Sequence, residues 1–133
     1  MSTNRWKTSK TTVYNLGYHI IFCPKYRRKV LTGQVKNRLA ELFNIKADEL
    51  SVKIQDMTIM PHYVRLFIKA SPVLAPHFII NQFKGYSSKV LRNEFPSLKS
   101  RLPSLWTRNY YIESVGHISE ETIYKYIQDQ EGK

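Results

Sequence analysis

The stretch that most constrains the fold runs from Ser51 to Ala70, SVKIQDMTIMPHYVRLFIKA. Its second half alternates strictly, so Val64, Leu66 and Ile68 are predicted to face one side of a β-sheet. The opposite side then carries a mixed set of aromatic and basic side chains: Tyr63, Arg65, Phe67 and Lys69. A cation between two aromatic rings is unusual on a merely hydrated surface. We therefore expect one face to be core and the other to be functional.

The first half of this stretch reads as a second strand, Val52 to Met60, that changes phase. The apolar residues in its first half are at even positions, and those in its second half before Met60 are at odd positions, so the two sets would face opposite sides of a regular strand. A β-bulge near Gln55 and Asp56 would place all of these apolar residues on a single buried face. Pro61 is expected to make a tight link to the following strand.

The remaining elements follow from apolar spacing and from proline and glycine positions. A flexible arm, 1–10, precedes a strand over 13–23, and a helix is predicted after Gly33, ending near Asp48. A second amphipathic helix is marked by Ile79, Phe83, Tyr86 and Val90. A fourth strand spans 106–115, and a final helix spans 118–131 with Ser119 as its N-cap. The order β-α-β-β-α-β predicts an α+β, ferredoxin-like split βαβ fold, an antiparallel sheet with helices on one face, plus a C-terminal helix.

Length and composition narrow the class of protein. The 133 residues suit one domain, 1–133, with a modest core. The single Cys23 has no partner for an internal disulfide, the N-terminus is too polar for a signal peptide, and no apolar run reaches the roughly 20 residues that span a bilayer. We expect a cytoplasmic protein without a membrane segment.

The charge is strongly basic and unevenly placed. Lys and Arg number 21 against 10 Asp and Glu, a net charge of +11, and no acidic residue precedes Glu41. One interpretation is a basic surface that is exposed to water and binds no polyanion. Binding to nucleic acid is favoured, because aromatic residues are interleaved with the cations as stacking on unpaired bases requires. The predicted DNA-binding residues lie after the first strand and on the second helix: Lys25, Arg27, Arg28, Lys29, Lys84, Ser88 and Arg92.

The final helix places Tyr126 and Gln130 four residues apart, hence on one face. Spacing alone favours a structural interpretation, in which Tyr126 is a core aromatic and Gln130 a residue at the rim.

Four stretches resemble a known family. They are YHIIFCPKYRRKVL (18–31), IMPHYVRLF (59–67), FKGYSSKVLRNEFPSL (83–98) and LWTRNYYIESVGHISEETIYKYIQDQ (105–130). Together they resemble the small single-tyrosine insertion-sequence transposases of the HUH superfamily, which act on single-stranded DNA. The stretches cover most of the chain in the family's order.

The resemblance implies a ferredoxin-like fold and a homodimer whose final helix contributes to the partner's site. It implies that Tyr126 is the nucleophile and that Gln130 is a ligand of a divalent metal, Mg²⁺ or Mn²⁺. Family members bind a DNA hairpin and cleave and rejoin single-stranded DNA through a 5′-phosphotyrosine. A phenol has a pKa of about 10, so it must be held in line and the phosphate must be polarised.

The chain departs from the family at its metal motif, Met-Pro-Asp-His-hydrophobic-His. Both histidine positions are changed, to Tyr63 and Arg65, and His62 replaces the acid. Alternation points His62 away from the face of Tyr63 and Arg65, yet His62 is a candidate substitute ligand. Arg65 cannot ligate a metal but can bind a phosphate directly.

Two functions therefore stay open on the sequence. One is a transposase with altered or impaired metal chemistry, and the other is a non-catalytic hairpin-binding relic or regulator that keeps the fold and dimer. An unrelated RNA-binding protein of the same fold is a third possibility.

Overall fold

Six strands and four helices make up the part of the chain that the computed structural model describes, residues 7–8, 13–14, 16–114 and 120–130. The strands are β1 (Lys7–Thr8), β2 (Val13–Tyr14), β3 (Leu16–Phe22), β4 (Lys53–Met60), β5 (Tyr63–Ala70) and β6 (Tyr111–Ser114). The helices are α1 (Gly33–Leu50), α2 (Pro76–Glu94), α3 (Pro96–Arg101) and α4 (Glu120–Asp129). A single 3₁₀ turn spans Lys25–Arg27.

The main sheet has the order β4-β5-β3-β6, with every neighbouring pair antiparallel. Strands β3 and β4, joined through α1, are parallel to each other and separated by β5, which is the split βαβ arrangement. The predicted α+β ferredoxin-like fold is confirmed. Within these ranges no helix is both long and apolar enough to cross a membrane.

One face of the sheet packs against α1 and α2, and we call it the helix-covered face. Its strand residues include Ile20 and Phe22 of β3 and Leu66 of β5, all 0% exposed. Phe43 of α1 packs edge-to-face on Phe22 and on Phe83 of α2, with ring centroids 5.9 and 5.6 Å apart. The alternation of β5 therefore has the predicted direction, with its apolar parity in the core.

Two local features explain how β4 is positioned. Helix α1 ends at Ser51, whose φ of 57° reverses the chain while the amide of Val52 donates to the Ala47 carbonyl at 2.9 Å. The pairing of β4 with β5 then shifts between Ile54 and Asp56. This is the predicted bulge.

Several predicted boundaries need correction. The first strand is divided, because Val13–Tyr14 pairs with Lys7–Thr8 in a separate ladder rather than with the main sheet. Part of the arm predicted to be flexible is thus in a β-ladder. The fourth strand begins at Tyr111 instead of Trp106, because carbonyls of 107–109 accept hydrogen bonds from a lysine of α2. The predicted N-cap Ser119 lies outside the described residues.

Candidate active site and nucleic-acid interface

The face of the sheet opposite α1 and α2 carries α4, and we call it the tyrosine face. Ile21 and Cys23, at the end of β3, pack with Ile127 of α4 in a small buried cluster. Three partly buried tyrosines border this cluster: Tyr63, Tyr111 and Tyr126. The sheet thus has a second, smaller core, which places Tyr126 on the same face as Tyr63.

Tyr126 is held in an unusual environment for a phenol. Its ring lies 5.9 Å from that of Tyr111, and its hydroxyl is buried with no hydrogen-bond partner among the described residues. Burial, together with the neighbouring Cys23, raises the pKa of Tyr126 well above its usual value. The neighbouring Tyr111 differs, because its hydroxyl donates to the Glu113 carboxylate.

Gln130 lies one turn beyond Tyr126 and is 2% exposed. Its backbone N–H donates to the Ile127 carbonyl at 3.1 Å, while its side-chain Oε1 is buried and has no partner in the part of the chain that the structure describes. The interpretation of Gln130 as a residue at the rim is therefore wrong. Each of the two residues predicted to act, Tyr126 and Gln130, has a buried oxygen that lacks a partner, which is a costly arrangement.

Arg65 stands in the middle of the tyrosine face. In the β-ladder it lies opposite Thr58 of β4 and Ile21 of β3, and its Nη2 is 3.4 Å from Thr58 Oγ1. The side chain is half-buried and makes no ion pair with a described residue. Two residues further along β5, on the same face, Phe67 stacks on His19 of β3 with ring centroids 4.5 Å apart. Arg65 therefore places an unneutralised cation beside aromatic rings.

His62 occupies the turn between β4 and β5. Its ring packs edge-to-face on Tyr63 at 5.2 Å, and no described residue pairs with its buried Nδ1. Burial lowers the pKa of His62, and the charges of Arg27 and Lys29 lower it further. His62 therefore lies near the basic segment that follows β3.

That segment, Lys25 to Lys29, is called the basic turn. Arg28 and Lys29 are exposed, and Lys25 and Arg27 are half-buried. The Leu31 amide donates to the Pro61 carbonyl at 3.0 Å, so the basic turn and the turn of His62 lie at the same end of the sheet. This end is also where β5 begins at Tyr63, which brings the predicted cations close to the tyrosine face.

The stripe predicted on α2 is not arranged as expected. Lys84 is 9% exposed, and its ammonium donates to the carbonyls of Thr107, Arg108 and Asn109 at 2.7, 3.2 and 3.3 Å. Burial lowers the pKa of Lys84 to about 8. Arg92 donates to the Leu102 carbonyl at 3.2 Å, and Ser88 is half-buried. Lys84 and Arg92 therefore stabilise the connector between α2 and β6 by donating hydrogen bonds to its carbonyls. Helical spacing alone could not distinguish this structural role from DNA binding.

Comparison with known proteins places this geometry in a family. The family model for IS200-like transposases matches residues 12–130. The chain belongs to the IS200-like transposase family. It is 33% identical over 129 residues to the ISDra2 transposase TnpA of Deinococcus radiodurans, covering 96% of this chain and 92% of that protein. It is 27% identical to the IS200 transposase of Salmonella typhimurium, and the match covers 93% of this chain and 82% of that protein.

Solved structures of transposases share the fold. A Deinococcus radiodurans R1 transposase structure has a TM-score of 0.87 at 29% identity and covers 96% of this chain and 99% of that one. A REP-associated tyrosine transposase bound to a REP hairpin has a TM-score of 0.55, and the match covers 96% of this chain and 68% of that one. At 11% identity the second match is evidence for the fold alone. The predicted family and its function in DNA transposition are confirmed.

IS200-like transposases generally use a divalent metal ion, which makes the donor set of this chain informative. Gln130 Oε1 and one ring nitrogen of His62 are the candidate donors, and across the described residues no three His, Cys, Asp or Glu side chains form a group. The guanidinium of Arg65 would repel a cation on the same face. The residues present therefore do not fit a divalent metal ion.

The smaller core of the tyrosine face was missed by sequence reasoning. Cys23 and Tyr111 were not predicted to lie at the site, although Ile21 has the opposite parity to Ile20 and Phe22. An apolar residue on the second face of a strand was the available signal, because it predicts that something covers that face.

Proposed function

We propose that this transposase binds single-stranded DNA and a DNA hairpin through the basic turn, with Tyr126 as its nucleophile. The observation that carries the proposal is the position of Tyr126, which lies over the face of Tyr63 and close to the end of the sheet from which the basic turn emerges. The hairpin bound by the REP-associated relative supports testing a hairpin here. We expect the protein to act in the cytoplasm.

The proposed reaction is a transesterification. The phenol oxygen of Tyr126 attacks the phosphorus, the bond to the 3′-oxygen of the preceding nucleotide breaks, and a 5′-phosphotyrosine forms. The phenol proton passes to solvent water, and the departing 3′-oxygen takes up a proton from water. Because one ester replaces another, rejoining runs the same steps in reverse and needs no nucleotide cofactor.

The docked position of α4 does not suit this attack. A buried hydroxyl with a raised pKa and no acceptor holds its proton, so the reaction requires a different environment for Tyr126. We propose that the protein forms a homodimer in which α4 leaves its own sheet and brings Tyr126 to the partner's site. Leaving also frees the buried oxygen of Gln130.

Arg65 is proposed to contact the phosphate. Its guanidinium donates hydrogen bonds in a planar fork that suits a phosphate, and it lies on the face that Tyr126 covers. It would supply part of the positive charge that the family obtains from its metal ion.

The test incubates the purified protein with single-stranded DNA from the ends of its own element, with Mg²⁺, Mn²⁺ or chelator, before denaturing electrophoresis. We expect a covalent adduct that forms in chelator and disappears in Tyr126→Phe. The variant should remain folded, because the hydroxyl that it removes has no partner. An adduct that persists in Tyr126→Phe would exclude Tyr126 as the nucleophile.

A non-catalytic hairpin-binding protein is the second candidate. It is favoured by Arg65, a permanent cation that stands where the family resemblance implies a metal ligand. In this case the natural chain binds the hairpin without an adduct, and the double variant Tyr63→His, Arg65→His gains one in Mn²⁺. Tighter binding to matched RNA than to DNA would contradict both candidates.

A further inference from the structure

Two consecutive residues of the basic turn have left-handed backbone conformations. Tyr26 has φ 59° and ψ 19°, and Arg27 has φ 52°. Side chains other than glycine rarely adopt this region, and an aromatic residue there is strained. Glycine would adopt the same backbone without cost, so the side chain at position 26 needs a reason.

The turn is anchored at its start, where Pro24 and Lys25 contact the segment that contains Leu105 and Trp106. The Arg27 amide donates to the Pro24 carbonyl at 2.8 Å, and Pro24 forms a β-bridge with Trp106. The Lys25 amide donates to the Leu105 carbonyl at 2.8 Å. These bonds fix the backbone on which the side chain of Tyr26 is displayed.

The side chain of Tyr26 points outward. It is 44% exposed and belongs to neither buried cluster, so packing does not account for the strain. The ammonium of Lys25 lies 5.3 Å from the centroid of its ring, and Arg28 and Lys29 follow it on the exposed surface. A rigid, exposed ring among cations is the arrangement that stacks on an unpaired base while the cations neutralise neighbouring phosphates.

We propose that Tyr26 is a base-stacking residue that holds an unpaired nucleotide of single-stranded DNA at the end of the sheet nearest Tyr63. The inference rests on the proposed DNA substrate and adds a specific residue to it. Nearby, the Leu31 amide donates to the Pro61 carbonyl at 3.0 Å, and the adjoining His62 has a buried Nδ1 that lacks a partner among the described residues. The nucleotide on Tyr26 would therefore lie beside the turn that leads into β5.

The test compares Tyr26→Gly, Tyr26→Phe and Tyr26→Trp, using fluorescein-labelled oligothymidylate and a blunt DNA duplex as probes. Tyr26→Gly relieves the backbone strain and should not lower the unfolding midpoint. It should weaken single-strand binding about 5- to 150-fold, the effect of losing one stacked base, and leave duplex binding unchanged. Tyr26→Phe and Tyr26→Trp keep a stacking ring and should retain wild-type affinity.

Phe78→Ala is the matched control, because Phe78 is also 44% exposed but lies near the start of α2, away from the basic turn. It should bind both probes as the wild type does. Equal single-strand affinity in Tyr26→Gly and the wild type overturns the stacking role while the proposed function stands. Equal weakening on the duplex also overturns it. Failure of the wild type to bind oligothymidylate overturns the proposed function as well.

Discussion

The helix-covered face and the tyrosine face belong to the same four strands but differ in how they are completed. On the first, two long helices bury a continuous set of apolar side chains that includes Phe22, Phe43 and Phe83. On the second, α4 covers a small cluster bordered by tyrosines, and the buried oxygens of Tyr126 and Gln130 have no partner within the described ranges. The helix-covered face is thus a large apolar core, whereas the tyrosine face has a small one that buries two polar oxygens.

This difference separates stability from function. Apolar burial is the main favourable term in folding, and buried polar atoms without partners oppose it. The helix-covered face can therefore keep the sheet folded while the tyrosine face gives up α4. The proposed nucleophile, Tyr126, would then be able to reach a substrate or a second subunit.

The largest expected effect is on the helix-covered face. Leu66 lies on the central strand β5 and is 0% exposed, so Leu66→Ala leaves a cavity between the sheet and its helices. We expect it to lower the unfolding free energy by about 2–5 kcal/mol, measured by urea denaturation. A loss below about 1 kcal/mol would mean that this face is not the main source of stability.

A smaller effect is expected where α2 holds the connector to the tyrosine face. Lys84→Met leaves three carbonyls without their donor and should cost about 1–3 kcal/mol. Because burial lowers the pKa of Lys84 to about 8 from 10.5, the unfolded chain binds more protons between these values. The wild type should therefore gain stability relative to Lys84→Met as the pH rises from 8 to 10.5. A difference that stays constant across this range would contradict the lowered pKa.

The smallest effect on stability is expected on the tyrosine face, where a local probe is available. Cys23 is the only cysteine of the chain, is 0% exposed beneath α4, and its burial raises the pKa of the thiol to about 12. Ile127→Ala should speed the reaction of Cys23 with a thiol reagent about tenfold for each 1.4 kcal/mol of docking energy lost. Its global unfolding midpoint should change less than that of Leu66→Ala.

Ile45→Ala provides the control for this labelling, since Ile45 is 46% exposed on α1 and does not contact the smaller core. An unchanged rate in Ile127→Ala would mean that α4 does not protect the thiol and that the two faces open together.

Local sequence patterns predicted the sheet, because the spacing of apolar side chains along a strand can be read from neighbouring residues. The alternation of β5 and the phase change at Gln55 each act within a few residues. The resemblance added Tyr126 and Gln130, which spacing alone assigned to structural roles. No such pattern indicated that Lys84 would fasten the connector, since a lysine that binds DNA and one that caps carbonyls have the same helical spacing.

The sequence by itself determined the alternation, the charge and the family, all of which are properties of neighbouring residues or of the chain as a whole. The tertiary structure decided which cations are available, which oxygens are buried, and that α4 packs on the face opposite the other helices. It also decided the left-handed backbone at Tyr26, which lies between Lys25, bonded to the distant Leu105 carbonyl, and Arg27, bonded to the Pro24 carbonyl. Such features arise when distant segments meet, because burial and unmet hydrogen bonds are defined only by what surrounds a group.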